Sequence, residues 1–377
     1  ADLHLGAKIS FDAFEEKNLV NILFAENIGL VLQANEDAQF EAAFGQMSYY
    51  KIGKVTESET LEISGLEFNI PNLRRKWFET SYLLDQKQTR NGKAIDRFQN
   101  FDQQPLSFVF KNDFQGKLTR VDETKPRPKA AIIREKGSNS EREMAHAMYL
   151  AGFDVKDVHM TDLISGRETL KDIQFIGAVG GFSNSDVLGS AKGWAGAFLY
   201  NEKAKAALDE FYQREDTLSV GICNGCQLMM ELDLIHPEHE IHGKMHHNDS
   251  QKHESIFTSV KVQENHSVML GSLSGQTLGV WVSHGEGKFV LPYDEDQYHI
   301  VAKYGYENYP ANPNGSDFNT AMMCDKTGRH LAMMPHIERS IFPWNWAYYP
   351  NATDEVSPWL EAFVNAKKWI DSKNNEK

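Results

Sequence analysis

At 377 residues, with 41% hydrophobic and 11% aromatic residues, the chain is long enough for two domains with substantial cores and too apolar for general disorder. A net charge of −14, with lysines and arginines scattered instead of striped, excludes a nucleic-acid binder. Three cysteines make no disulfide framework and no apolar run approaches the ~18–20 residues of a membrane span, so the expected compartment is the cytoplasm.

The opening Ala1-Asp2-Leu3-His4-Leu5-Gly6 carries no charged start, apolar core or cleavage site of a signal peptide, and no initiator Met, so the chain is expected to begin inside a longer polypeptide. Residues 1–68 alternate short strand patterns with one helical stretch near 36–44, an α+β reading. Pro71 starts a long helix through Leu73, Trp77, Leu83 and Leu84. Residues 90–104 are polar and irregular, a connecting segment that Thr124-Lys125-Pro126-Arg127-Pro128 closes with two prolines, which places a boundary near 125.

Beyond it, strands and helices alternate as in a doubly wound, mostly parallel α/β sheet. Lys129–Arg134 is a strand, Ser140-Glu141-Arg142-Glu143 reads as a capping box, and Met144, Ala147, Met148 and Ala151 form a helical stripe. Residues 175–179 form a strand ending in Gly180-Gly181-Phe182-Ser183, whose glycines can expose backbone N–H groups to an oxyanion, worth about 3–4 kcal/mol per donor. The terminal helix opens at Ser357-Pro358 and buries Trp359, Phe363, Ala366 and Ile370.

The chemistry concentrates where the strand Leu218–Ile222 runs into Cys223-Asn224-Gly225-Cys226-Gln227. Small flanking residues allow a sharp strand-to-helix turn that presents Cys223 at the carboxyl edge of the sheet, where ligands bind in such folds, with a helix N-terminus aimed at it. The thiol needs a basic partner. An apolar strand runs into Pro335-His336-Ile337-Glu338, and in an extended segment His336 and Glu338 fall on one side, Glu338 fixing the tautomer while His336 acts as base and then acid. Cys223-x-x-Cys226 also matches a redox dithiol, and a buried structural cysteine is a third reading. His236, His239, His242, His246, His247 and His253 crowd one segment, but Pro237 interrupts any helix and no cysteine or paired carboxylate completes a site. A solvated loop without a metal is expected there.

Together these segments resemble the glutaminase domain of the large, single-chain phosphoribosylformylglycinamidine synthases, which carry a class I (triad) glutamine amidotransferase. The resemblance runs in order through Ala131-Ile132-Ile133-Arg134-Glu135-Lys136-Gly137-Ser138-Asn139, Gly180-Gly181-Phe182-Ser183, Asp186-Val187-Leu188-Gly189, the Cys223 turn, Ser283-His284-Gly285-Glu286-Gly287 and Tyr309-Pro310-Ala311-Asn312-Pro313-Asn314-Gly315-Ser316. It implies Cys223 as nucleophile, His336 as base and Glu338 as the orienting acid. It further implies an oxyanion hole from the Gly181 and Asn224 N–H groups, Gln227 holding the glutamine, and Ser283 and His284 near the pocket wall. Residues 1–68 look like the latter part of a second synthase half-domain, with Asn27-Ile28-Gly29-Leu30-Val31-Leu32-Gln33 as an internal strand, 69–128 like a connecting segment, and 129–377 like the amidotransferase domain. Two positions depart from the pattern: Ile337 stands where proline is common, and Ile256 stands where Asn248-x-Ser250-x-x-x-Glu254 is usually followed by Ser or Ala and then Arg. The resemblance implies no cofactor in this portion. In the intact enzyme it implies ATP and Mg, with formylglycinamide ribonucleotide and the remaining synthase domains as partners. A free-standing cysteine hydrolase or redox protein, and a silent assembly module, are the rival readings.

Overall fold

In the computed structural model, which describes residues 4–34, 37–103, 106–118, 124 and 126–376, the chain divides into two units, Ala1–Leu84 and Asp85–Lys377. Of the sequence readings, those on Ala1-Asp2-Leu3, Glu36, Gln104 and Lys125 fall outside the described residues.

In the first unit, β1 (Gly6–Ile9) is followed by α1 (Leu19–Phe24), α2 (Asp37–Phe44), β2 (Gly53–Thr56), β3 (Thr60–Ile63) and β4 (Leu66–Asn69). Asn18 caps α1 by accepting from Val20 N at 2.9 Å. The strands form one sheet in the order β2-β1-β3-β4, with β1 parallel to β3. β3 and β4 are joined by Ser64 and Gly65, both at positive φ, as a two-residue hairpin loop requires. The helix expected near 36–44 is present as α2. The strand expected at 27–33 is not formed: it has no ladder partner among the described residues, and Ile28, Leu30 and Val31 are exposed. A strand exists only where a neighbour takes its N–H and C=O groups, and apolar composition alone does not supply one. The long helix α3 (Ile70–Gln88) carries Pro71 in its first turn, and its Leu73, Trp77, Leu83 and Leu84 are all exposed.

In the second unit, residues 90–104 contain a helix, α4 (Lys93–Gln99), contrary to the irregular reading. Its N-cap is Gly92 in the left-handed region with no capping side chain, so the usual sequence mark of a helix start is missing. Residues 108–110 make defined contacts. Val109 exchanges two backbone hydrogen bonds with Thr277, and the rings of Phe108 and Phe110 lie 5.0 and 5.9 Å from that of Trp346.

The main body runs β5 (Lys129–Arg134), α5 (Glu141–Ala151), β6 (Asp154–His159), α6 (Met160–Ser165), β7 (Phe175–Ala178), α7 (Lys192–Leu199), α8 (Glu202–Gln213), β8 (Leu218–Ile222) and α9 (Asn224–Glu231). It continues with β9 (Lys244–His246), β10 (Glu254–Val262), β11 (Thr277–His284), β12 (Lys288–Val290), β13 (His299–Tyr304), β14 (Thr320–Cys324), β15 (His330–Met333) and α10 (Trp359–Asn375). Nine strands form one sheet in the order β11-β10-β13-β14-β15-β8-β7-β5-β6. From β15 to β6 neighbours are parallel, and the four strands beyond β15 continue antiparallel.

Period-two alternation sends side chains of one strand into two cores. Ala130 and Ile132 of β5 join Met144, Ala147 and Met148 of α5 and Trp359, Phe363, Ala366 and Ile370 of α10 on one face. Ala131 and Ile133 meet Leu163, Trp194, Phe198 and Phe211 of α6, α7 and α8 on the other. This is the α/β, doubly wound arrangement expected, with helices covering both faces of the parallel strands. The terminal helix begins as expected, Ser357 Oγ accepting from Trp359 N at 3.3 Å. The Ser140 capping box does not form: Ser140 sits at φ 69° and its Oγ instead accepts from Gly180 N at 3.4 Å, so the hydroxyl serves the neighbouring loop and not its own helix.

Candidate active site

Three neighbouring parallel strands end at one edge, and that edge gathers the expected site. Ala178 of β7 is in register with Gly221 of β8, and Ile222 of β8 with Met333 of β15. The segments that follow, 179–181, 223–227 and 334–338, therefore emerge side by side at the carboxyl ends of the strands.

Cys223 occupies the turn between β8 and α9 at φ 54°, ψ −106°, a conformation outside the ordinary left-handed basin, of the kind that costs on the order of 1–3 kcal/mol and persists only where packing enforces it. Its N–H is fixed by Met333 O at 2.8 Å. Gly225 lets α9 start against β7: a Cβ there would stand 2.0 Å from Ala178 O. The thiol donates to Ser283 O at 3.5 Å. Cys226, one turn on, is fully buried in the core, and burial, with Cys223 nearby, pushes its thiol well above the usual range.

His336 donates its N–H to Trp281 O at 2.8 Å, which anchors the loop after β15 on β11. Its ring Nδ1 lies 2.6 Å from Glu338 Oε1, with both side chains buried. The expected extended i, i+2 geometry is not what brings them together: Ile337–Arg339 is a 3-10 turn, and Glu338 reaches back across it. Ile337, where a proline was the norm, is itself fully buried and keeps the spacing. Ser340 Oγ closes the turn by donating to His336 O at 3.0 Å. Burial pushes the His336 imidazole down, but the Glu338 carboxylate and a hydrogen bond with Cys223 outweigh it and raise the ring to about 10.

Gly181 faces Ser138 across an isolated antiparallel bridge. The flanking bonds run from Asn139 N to Gly180 O (2.8 Å) and from Phe182 N to Gly137 O (2.9 Å), so the Gly181 N–H lies outside the ladder. Asn224 is the first residue of α9, where N–H groups have no intrahelical acceptor. The Asn224 side chain accepts from Ser183 N at 3.1 Å and donates to Gln227 Oε1 at 2.8 Å, while Gln227 Nε2 donates to Glu286 O at 2.7 Å. Both ends of the Gln227 amide are thus engaged by protein. These bonds tie the 286 loop to the nucleophile helix.

Ser283 and His284 close β11 beside Cys223. Ser283 Oγ lies 3.1 Å from His253 Nε2, and His284 Nδ1 lies 3.2 Å from Asn248 Oδ1. Burial, with His336 and His253 nearby, pulls the His284 imidazole down to about 3. Asn248 is the organising residue that sequence reasoning left without a role: fully buried, it donates to His284 O (2.7 Å) and Lys252 O (3.0 Å) and accepts from Gly287 N (3.0 Å). Glu286 Oε2 accepts from Ser190 N at 2.6 Å and from Ser190 Oγ. Burial and then Glu286 push the nearby Asp186 carboxyl up to about 6. Among the described residues no helix is long and apolar enough to cross a membrane.

Residues 127–370 match the family described as CobB/CobQ-like glutamine amidotransferase domain. The chain is similar to the probable phosphoribosylformylglycinamidine synthase, chloroplastic/mitochondrial, of Arabidopsis thaliana, 39% identical over 394 aligned residues that cover 94% of this chain and 28% of that protein. It is similar also to the phosphoribosylformylglycinamidine synthase of Homo sapiens, 37% identical over 93% of this chain and 29% of that protein. The chain thus spans less than a third of the length of these curated relatives.

Proposed function

The chain belongs to the CobB/CobQ-like glutamine amidotransferase family, and from that premise we propose that it is the glutaminase portion of a phosphoribosylformylglycinamidine synthase of purine biosynthesis. In this reading residues 129–377 are the amidotransferase domain, 69–128 the connecting segment and 1–68 part of a synthase half-domain. The names of the curated relatives support the assignment. The observation that carries the chemistry is the meeting of Cys223 with the buried His336–Glu338 pair, 2.6 Å apart, at the carboxyl edge of the sheet.

His336 takes the thiol proton, the Glu338 carboxylate stabilising the imidazolium that forms, and the Cys223 sulfur attacks the side-chain amide carbon of glutamine. A C–S bond forms and the amide oxygen becomes an oxyanion between the Gly181 and Asn224 N–H groups. His336 returns the proton to the nitrogen as the C–N bond breaks, and ammonia leaves. Water, giving its proton to His336, then opens the thioester, releasing glutamate and restoring Cys223. Gln227, Ser283 and His284 shape the wall of this pocket.

In the whole protein, ammonia would pass to the remaining synthase domains of the same polypeptide. There ATP with Mg would activate formylglycinamide ribonucleotide for attack by that ammonia, with formylglycinamidine ribonucleotide, ADP and phosphate as the products. The Cys223 site does not suit Mg itself, because Glu338, the buried carboxylate that the described residues place beside it, is already bonded to His336. We place the activity in the cytoplasm, although the plant relative is named for the chloroplast and mitochondrion. Glutamate release from glutamine by the wild-type protein, absent in a folded Cys223→Ala variant, is the expected result. Undiminished release by that variant would overturn the reading.

A further inference from the structure

The loop that leaves the nucleophile helix α9 and returns through β9 carries a cluster of histidines for which the glutaminase chemistry has no use. A turn closed by His239 N donating to His236 O at 3.1 Å places the two imidazoles on one side, their rings stacked with centroids 4.8 Å apart and planes 9° apart. The solvated loop expected from the sequence is wrong for His236, which is 7% exposed. Tyr298 packs edge-on to both rings. Among the described residues, neither ring nitrogen of His236 and not Nδ1 of His239 has a hydrogen-bond partner, an expensive condition for buried polar atoms. The carboxylate of Glu238 lies 3.7 Å from His236 Nδ1, and one donor atom each from His236, Glu238 and His239 all fall within 4.8 Å of one another.

We propose that His236, Glu238 and His239 bind a late first-row divalent metal ion, with zinc as the natural fit. Two imidazoles and a carboxylate are the borderline donors that such ions prefer over magnesium or calcium. In a tetrahedral site with bonds of about 2 Å the donor atoms stand roughly 3.3 Å apart. The present spread closes to that by rotation of Glu238, which is exposed, and of His239, which is half-buried. Water takes the fourth position, and the role argued for the ion is that of a clip on the loop. It would fasten the loop between the end of α9 at Glu231 and β9, two residues before Asn248, and so brace the wall of the pocket without joining the reaction. His242, His246 and His247 lie on the same stretch but outside the triplet.

Metal binding by the untagged, chelator-treated full chain tests this, with zinc and cobalt(II) chlorides as the probes. The wild type is expected to bind one equivalent of zinc with a raised thermal midpoint, and cobalt is expected to give the visible bands of a four-coordinate site. Because His236 is buried and its removal risks the fold, the deciding variants are His239→Ala and Glu238→Ala. Each should weaken binding by at least about tenfold and abolish the thermal shift. The double variant His246→Ala, His247→Ala should bind as the wild type does. Absence of stoichiometric binding by the wild type, unchanged binding by the His239 and Glu238 variants, or loss of binding in the His246, His247 variant would each overturn the proposal.

Discussion

Gly180 lies directly against His336: a methyl group at Gly180 would stand 2.8 Å from His336 Cε1 and 3.5 Å from Cys223 Cβ. The imidazole is bonded through Nδ1 to Glu338 and the backbone N–H of His336 to Trp281 O, so a shift of the ring away from a Gly180 methyl strains these bonds. Gly180→Ala should therefore leave a folded protein whose glutamine turnover falls roughly a hundredfold, the cost of a displacement of about 1 Å at a reacting group. Steady-state glutamate release, with thermal unfolding as the control, checks this. Turnover near the wild-type level would mean that His336 need not hold its present position.

Unequal losses are expected within the proposed triad. His336→Ala deletes the proton carrier and should approach the Cys223→Ala loss. Glu338→Gln leaves an imidazole in place but disturbs its tautomer and charge, and should be milder by about one to two orders of magnitude. Comparing kcat for the two variants tests the assignment. Equal and negligible effects would move the base elsewhere, with His284 the first alternative.

The buried histidines give stability a pH dependence of known sign. His284 is pulled down to about 3 from an ordinary value of 6.5, so between those values the unfolded chain takes up a proton that the folded chain refuses. Stability should fall as pH falls through this window, by at most about 1.4 kcal/mol per pH unit for one proton, and His284→Gln should flatten the slope. His336, raised to about 10, works in the opposite direction: its contribution is complete below 6.5 and is lost as pH rises through about 10. Urea unfolding across both ranges reads the two slopes, and an unchanged acid slope in His284→Gln would show that other groups control it.

Much of this arrangement was legible in the chain because local pattern and tertiary demand agree. The alternation in β5, the Met144–Ala147–Met148–Ala151 stripe and the strand-to-helix turn at Cys223 each encode one periodicity and one outcome. The misses have physical causes. α4 starts at Gly92 with no capping side chain, so nothing local announces it. Residues 27–33 have strand composition without a partner strand. Ser140 turns its hydroxyl to Gly180, a contact 40 residues away that no local motif specifies. Asn248 and the burial of His236 depend likewise on distant elements, the first on β11 and the second on Tyr298.

A charge cluster in the second unit should prove costly to break from one side. Glu254 is 3% exposed and takes Arg97 Nη2 at 3.2 Å and the Tyr309 hydroxyl at 2.9 Å, while Asp85 takes Arg97 Nη1 at 3.2 Å and Lys252 Nζ at 2.7 Å. Arg97→Ala leaves the Glu254 carboxylate with the Tyr309 hydroxyl but without its cation and, with Arg97 itself partly exposed, should cost about 1–3 kcal/mol, whereas Arg97→Leu combined with Glu254→Met should recover much of that loss. Denaturant unfolding of the two proteins decides it, and a loss below about 1 kcal/mol in Arg97→Ala would show that solvent already screens the cluster.

The central claim is that one sulfur, Cys223, is the nucleophile of a glutamine-specific site, and covalent labelling tests it most directly. The full chain treated with an electrophilic diazoketone analogue of glutamine should gain a single adduct, mapped to Cys223 by mass spectrometry and suppressed by glutamine. The adduct should persist in Cys226→Ser, whose sulfur is buried away from the cleft, and vanish in a folded Cys223→Ser. Labelling that survives Cys223→Ser, or an adduct at Cys223 that glutamine does not suppress, would contradict the account.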